Sequence, residues 1–161
     1  MRKCLNKVVP MKITLSQLPV GVDGTIVEIN APHELRERLY GMGFIKGQRV
    51  KTIRRAPLRD PVVYLIKGSE ISLREELSSK IVIESRFFSL DLAIPGEYVV
   101  DSLVGGRRFL EKMRFIGISK GSRIRVVKSL SRGKYIRINN NDVFIPYRQA
   151  MRIVVEELPN E

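Results

Sequence analysis

The sequence contains one cysteine, one histidine and no tryptophan in 161 residues. A lone cysteine, Cys4, excludes an intrachain disulfide framework and fits a reducing, cytoplasmic setting. A lone histidine, His33, leaves no imidazole cluster for a transition metal, because a ferrous site wants imidazole and carboxylates at converging positions. His33 stands before Glu34 at a helix start and reads as a helix-entry residue, and the adjacent Glu75 and Glu76 read as solvated acids. No metal ligands are therefore assigned. Long apolar runs are also missing. Nothing approaches the roughly 18 to 20 residues of a membrane span, and Leu5 to Val9 is too short and polar for the core of a signal peptide. The Gly-x-x-x-x-Gly-Lys-Ser/Thr phosphate loop is absent and no nucleophile sits in an activating context, so no catalytic residue is assigned and the chain reads as a non-enzyme. Acid is scarce as well, with 17 acidic against 29 basic residues, a net charge of +12 and a pI near 10.2. That imbalance points to an anionic partner, either nucleic acid or an anionic membrane surface; the plainer account is a solvated surface.

What is present is enough for a core: 43% of residues are apolar and 29% charged, an ordinary globular balance. The length fits one domain or two very small ones of about 70 residues, and an internal repeat decides for two. Leu15 to Gly21 matches Leu90 to Gly96. Leu35-Arg36-Glu37-Arg38-Leu39 matches Phe109-Leu110-Glu111-Lys112-Met113, and Gly43 to Gly47 matches Gly117 to Gly121. Val50 to Ile53 then meets Ile124 to Val127, and Lys80 to Ile83 meets Arg152 to Val155. The offset drifts from 75 to 74 to 72 residues, so the second copy is shorter by a few residues, lost in loops. Two copies make a duplicated domain rather than a solenoid. Modules this small gain stability by packing on each other, on a partner or on a second copy of the chain as a homo-oligomer. Charge is unequal between them. Residues 15–84 carry 11 basic and 9 acidic side chains, residues 89–156 carry 13 and 6.

Each copy predicts the same elements. A short turn capped by Ser16 or Ser89 and closed by Gly21 or Gly96 leads into a strand over Thr25 to Asn30 or Glu97 to Ser102. One helix follows, with Leu35, Leu39 and Met42, or Phe109, Met113 and Ile116, at i, i+4 and i+7 facing a core. Gly43 and Gly117 stand at the helix ends, where a left-handed residue is wanted. Apolar alternation then marks strands, with hairpin turns at Gly68-Ser69 and Asn140-Asn141. A last strand, Ile81 to Glu84 or Ile153 to Glu156, completes about five strands and one short α-helix. The expected class is mainly β, two tandem small barrels, each partly open. The expected division is an N-terminal tail over 1–12, a first barrel over 13–84, a linker over 85–88 whose Phe87 and Phe88 pack between modules, and a second, diverged barrel over 89–157.

The run Leu35 to Leu39, Gly41-Met42-Gly43, Lys46-Gly47 and then Arg54-Arg55-Ala56-Pro57-Leu58-Arg59-Asp60-Pro61 resembles the FeoA domain family. The resemblance covers residues 13 to 84, and 89 to 156 through glycine and apolar placement. The second copy reads Lys128-Ser129-Leu130-Ser131-Arg132-Gly133 at the loop, without either proline. The likeness implies an SH3-like barrel acting with the cytoplasmic part of FeoB, the membrane ferrous iron transporter, with ferrous iron as the only metal concerned. A related barrel ends the iron-dependent repressors of the diphtheria-toxin-repressor type, but this chain lacks their helix-turn-helix and metal-site domains.

The first candidate site is the loop itself, Arg54, Arg55, Pro57, Leu58, Arg59, Asp60 and Pro61. Its prolines lower the entropy lost on docking, and its charges surround an apolar Leu58. The second is an anion site in the other copy. Arg107 and Arg108 follow Gly105-Gly106 at a helix start, and Lys128, Arg132, Lys134 and Arg137 lie near Tyr135, Phe144 and Tyr147. Three functions follow as expectations: a non-enzymatic adaptor of ferrous iron transport, a nucleic-acid-binding barrel using the basic copy, and a metal-responsive regulatory module.

Overall fold

The structure is a computed structural model and describes residues 10–159; Cys4 and most of the expected N-terminal tail lie outside the described residues. The chain divides into two units, one over Pro10–Ser85 and one beginning at Arg86.

The first unit runs β1 (Met11–Thr14), a 3-10 turn (Leu15–Gln17), β2 (Asp23–Ile29), α1 (His33–Gly41), β3 (Arg49–Arg55), β4 (Val62–Ile66), β5 (Ser69–Leu73), α2 (Glu75–Ser78) and β6 (Ile81–Ser85). The second runs β7 (Phe87–Ser89), a 3-10 turn (Leu90–Leu92), β8 (Gly96–Leu103), α3 (Arg107–Ile116), β9 (Arg123–Leu130), β10 (Gly133–Ile138), β11 (Asn141–Pro146), α4 (Tyr147–Ala150) and β12 (Ile153–Glu157). Each unit is one antiparallel six-stranded sheet, ordered β1-β6-β2-β3-β4-β5 and β7-β12-β8-β9-β10-β11, so the topologies are the same. Each sheet curls into a small SH3-like barrel.

Curling needs local twist, which bulges supply. In the first unit the register shifts at Val27, against β6, and at Ile53, against β4. In the second it shifts at Asp101 and Val127, the corresponding positions. The duplication therefore extends to the irregularities of the backbone. The helices end as their sequences predict, with Gly43 and Gly117 both left-handed at φ +98°. Leu39, Phe109 and Met113 point into the cores.

Four expectations are corrected. There are six strands per unit rather than about five, because Met11 and Lys12, read as tail, form β1, and Phe87 and Phe88, read as linker, form β7. β1 pairs along β6 and β7 along β12. Phe88 is buried within its own barrel, edge-on to Tyr98 at 5.9 Å. Strands of three or four residues are too short for alternation to declare itself. Each unit also has a second, one-turn helix, α2 or α4, between its fifth and sixth strands. Finally, the hairpin turns sit one residue earlier than read. Ile66 pairs with Ser69 and Ile138 with Asn141, leaving Lys67-Gly68 and Asn139-Asn140 as two-residue turns with positive φ throughout, as the twist of the flanking strands favours. Ser16 lies inside its 3-10 turn, with Thr14 at the cap.

The two cores are filled differently. Tyr64 on β4 is fully buried in the first barrel, where the second has Ile136. Tyr98 on β8 is buried in the second, opposite Ile124, at the rung where the first has Gly24 opposite Val50. A Cβ on Gly24 would lie 2.5 Å from the Ile83 side chain, so the first barrel has no room there.

Candidate functional site

The loop between β3 and β4 is braced from inside and open at its tip. Its base is closed by the Ala56 N–H donating to the Pro61 carbonyl at 3.1 Å, and its turn by the Arg59 N–H donating to the Ala56 carbonyl at 2.7 Å. Arg59 adopts φ +68°, a left-handed conformation uncommon for a side-chain-bearing residue, and the Asp60–Pro61 peptide is cis. Between Ala56 and Pro61, Leu58 is 91% exposed.

The seven loop residues separate into two groups. Arg55 and Asp60 hold the loop. The Arg55 Nη2 donates to the carbonyls of Ser16 at 3.1 Å and Leu18 at 2.8 Å, fastening β3 to the first 3-10 turn. Thr52 Oγ1 donates to the same Leu18 carbonyl at 3.1 Å. Burial pushes the Arg55 pKa down, with Tyr64 opposing the shift; an arginine so placed remains a cation. Asp60 Oδ1 accepts the Glu75 N–H at 2.9 Å, an otherwise unmet donor at the start of α2, and Oδ2 lies 3.8 Å from Arg74. Arg54 is tied sideways to Glu70 at 3.0 Å. Pro57, Leu58 and Arg59 form the tip, and Pro61 closes the base.

Of the six basic candidates of the second unit, Lys134 turns inward, whereas Arg137 and Tyr135, the latter opposite Lys128, share the outward face of the sheet. Lys134 lies inside, 5% exposed, with its ammonium donating to Ser129 Oγ. Burial pushes its pKa down and the Asp91 carboxylate partly offsets this. Arg137 faces outward but belongs to a ladder across four strands: Glu97 opposite Arg125, Arg125 opposite Arg137, Arg137 opposite Asp142. Its end pairs are 3.0 Å and 2.8 Å long, and Arg137 holds the Asp142 carboxyl below its usual pKa. Arg107 pairs with Glu111 one helical turn on. No ion pair among the described residues includes Arg108, Lys128 or Arg132. Lys128 lies opposite Tyr135, which stands opposite Phe144 with ring centroids 5.0 Å apart.

Arg123 and Arg125 were not singled out from sequence, yet with Arg137 they line an open cleft of about 950 Å³. Alternation with the buried Ile124 and Val126 was the signal. His33 begins α1 and is exposed, and no group of three or more His, Cys, Asp or Glu side chains that could hold a metal occurs among the described residues. No helix among them is long and apolar enough to cross a membrane.

The fold and loop define a class, a tandem SH3-like barrel protein presenting one braced, solvent-projecting loop. The chain belongs to the FeoA domain family, whose model matches residues 13–85 and again 90–157. It is similar to the solution structure of iron(II) transport protein A from Clostridium thermocellum, at 34% identity and a TM-score of 0.66, over 92% of this chain and 90% of that one. The likeness thus includes both barrels. It is also 40% identical over 70 residues to the Fe(2+) transport protein A/Fe(2+) transporter FeoB fusion protein of Porphyromonas gingivalis (strain ATCC BAA-308 / W83). That match takes in 44% of this chain and 8% of the fusion.

Proposed function

We propose that this protein is a non-enzymatic cytoplasmic accessory of ferrous iron transport that docks on the cytoplasmic part of FeoB through the tip of the β3–β4 loop. The carrying observation is Leu58, 91% exposed on a loop fastened at both ends. An apolar side chain on a preorganised support loses little freedom on binding, the physical condition for a docking hot spot. The joining of the same two protein types in one Porphyromonas gingivalis chain supports the choice of partner. The test is capture of detergent-solubilised FeoB from the same cells. Leu58→Asp is expected to weaken capture by about thirtyfold or more, the scale of a hot-spot loss, while the melting curve stays in place. Undiminished capture by Leu58→Asp would remove the loop tip from the interface.

A further inference from the structure

We propose that the outward face of α3 is a docking surface for an anionic phospholipid membrane, with Phe115 as the inserted side chain and Arg108, Lys112 and Arg114 as its phosphate contacts. α3 turns Phe109 and Met113 inward, at 8% and 0% exposure. Phe115, in the last turn of α3 and directed away from the core, is 94% exposed, more than any other large apolar side chain among the described residues. Arg108, Lys112 and Phe115 follow one another at i, i+4 and i+7, so they share that face. Arg107 and Arg114 flank them, and the one acid, Glu111, is held by Arg107 at 3.0 Å. No ion pair among the described residues takes up Arg108, Lys112 or Arg114.

The other copy shows that the fold does not require this arrangement. By the repeat, α1 places Gly41 where α3 has Phe115, Glu34 where it has Arg108 and Arg38 where it has Lys112. Where α1 has a glycine and an acid, α3 has an aromatic ring and a cation.

Charge complementarity selects anionic lipid. Long basic side chains reach headgroup phosphates while one ring enters the boundary with the acyl chains, an arrangement that tolerates a convex surface and needs no matched pocket. Single-stranded nucleic acid fits less well, because base stacking wants a platform of rings and this face has one. The inference concerns the second barrel and stands apart from docking at the first barrel's loop.

Because the chain has no tryptophan, Phe115→Trp places a single, selectively excitable tryptophan at the proposed point of insertion. The full chain is mixed with phosphatidylcholine vesicles, with and without phosphatidylglycerol. The expected result is a blue shift of emission and co-sedimentation only with the anionic vesicles. Phe115→Ser should lower vesicle partitioning by about tenfold, and Arg108→Glu with Lys112→Glu by more than about tenfold. Emission that does not move, equal binding to both vesicle types, or full partitioning of Phe115→Ser would overturn the proposal. So would binding of single-stranded RNA that Phe115→Ser abolishes while vesicles remain unbound.

Discussion

The two barrels share a topology, two bulge positions and one helix-capping glycine position, and differ most where their third strand meets their fourth. In the first, Arg55 and Val62 form the closing rung and six residues separate them. In the second, Ser129 and Lys134 form that rung with four residues between. The shorter connection is a tight turn with Leu130 paired to Gly133. A Cβ on Gly133 would come within 2.2 Å of the Ile145 carbonyl, so the turn is sterically committed. The longer connection carries Leu58 into solvent. The duplication thus kept one loop as an exposed appendage and trimmed the other to a structural connection.

The rung itself shows a second exchange. Each barrel places a cation on it, but from opposite sides: Arg55 on β3 facing Val62, Lys134 on β10 facing Ser129. Arg55 reaches the carbonyl of Ser16, and Lys134 senses the carboxylate of Asp91, the repeat equivalent of Ser16. A positive charge toward the 3-10 turn is common to both copies; the strand that supplies it is not.

The largest expected effect breaks this exchange. Arg55→Ser leaves the Ser16 carbonyl unpaired and removes one of two bonds to Leu18, at a cost of about 2 kcal/mol to the first barrel. Adding Val62→Lys, which copies the second barrel's pair, should recover about half of that, whereas Val62→Lys alone should destabilise by burying a second cation beside Arg55. Urea denaturation of the four variants forms the cycle. A double variant less stable than Arg55→Ser would show that the two cations are not equivalent.

A smaller effect is expected at Asp60. Asp60→Ala removes the acceptor for the Glu75 N–H, worth about 1 kcal/mol for a helix-start contact. It should also loosen the loop, so FeoB capture should fall, though less than for Leu58→Asp. Melting and capture measured together separate the contributions. A variant that melts earlier and captures fully would mean that the loop needs no brace.

Much of this was legible in the sequence, for physical reasons. Glycine at Gly43 and Gly117 marks a backbone position that few other residues accept, so the helices and the repeat could be read from spacing. Strands of five residues or more declared themselves by alternation. β1 and β7 did not, because their pairing is supplied by a partner strand distant in sequence. The loop was legible as a feature and opaque in its division of labour. Nothing about adjacent Arg54 and Arg55 says that one turns to Glu70 on the surface and the other to carbonyls 37 and 39 residues earlier. Lys134 looked like a surface charge beside Tyr135, yet it shares parity with Ile136 and Ile138, which face the core. That parity was available and was outweighed by the habit of lysine to remain in water.

The last prediction uses the exchanged tyrosines. Tyr64 and Tyr98 are each buried, and burial pushes both hydroxyl pKa values above the ordinary 10.0. The Tyr64 O–H donates to the Leu15 carbonyl at 3.4 Å and the Tyr98 O–H to the Ile94 carbonyl at 2.7 Å, bonds that only the protonated hydroxyls make. An unfolded chain loses these protons near pH 10 while the folded barrels retain them. The stability they contribute is therefore present below that pH and is lost as pH rises through the raised folded values. Urea midpoints taken from about pH 9 to about pH 11 should fall, and Tyr64→Phe and Tyr98→Phe should each flatten part of the fall. The contributions should be separable by barrel, because the exchange left each core with a buried tyrosine on a different strand. If Tyr98→Phe leaves the alkaline slope unchanged while Tyr64→Phe removes it, burial in the second barrel is too shallow for its tyrosine to be coupled to folding, and the equivalence of the two cores fails at that point.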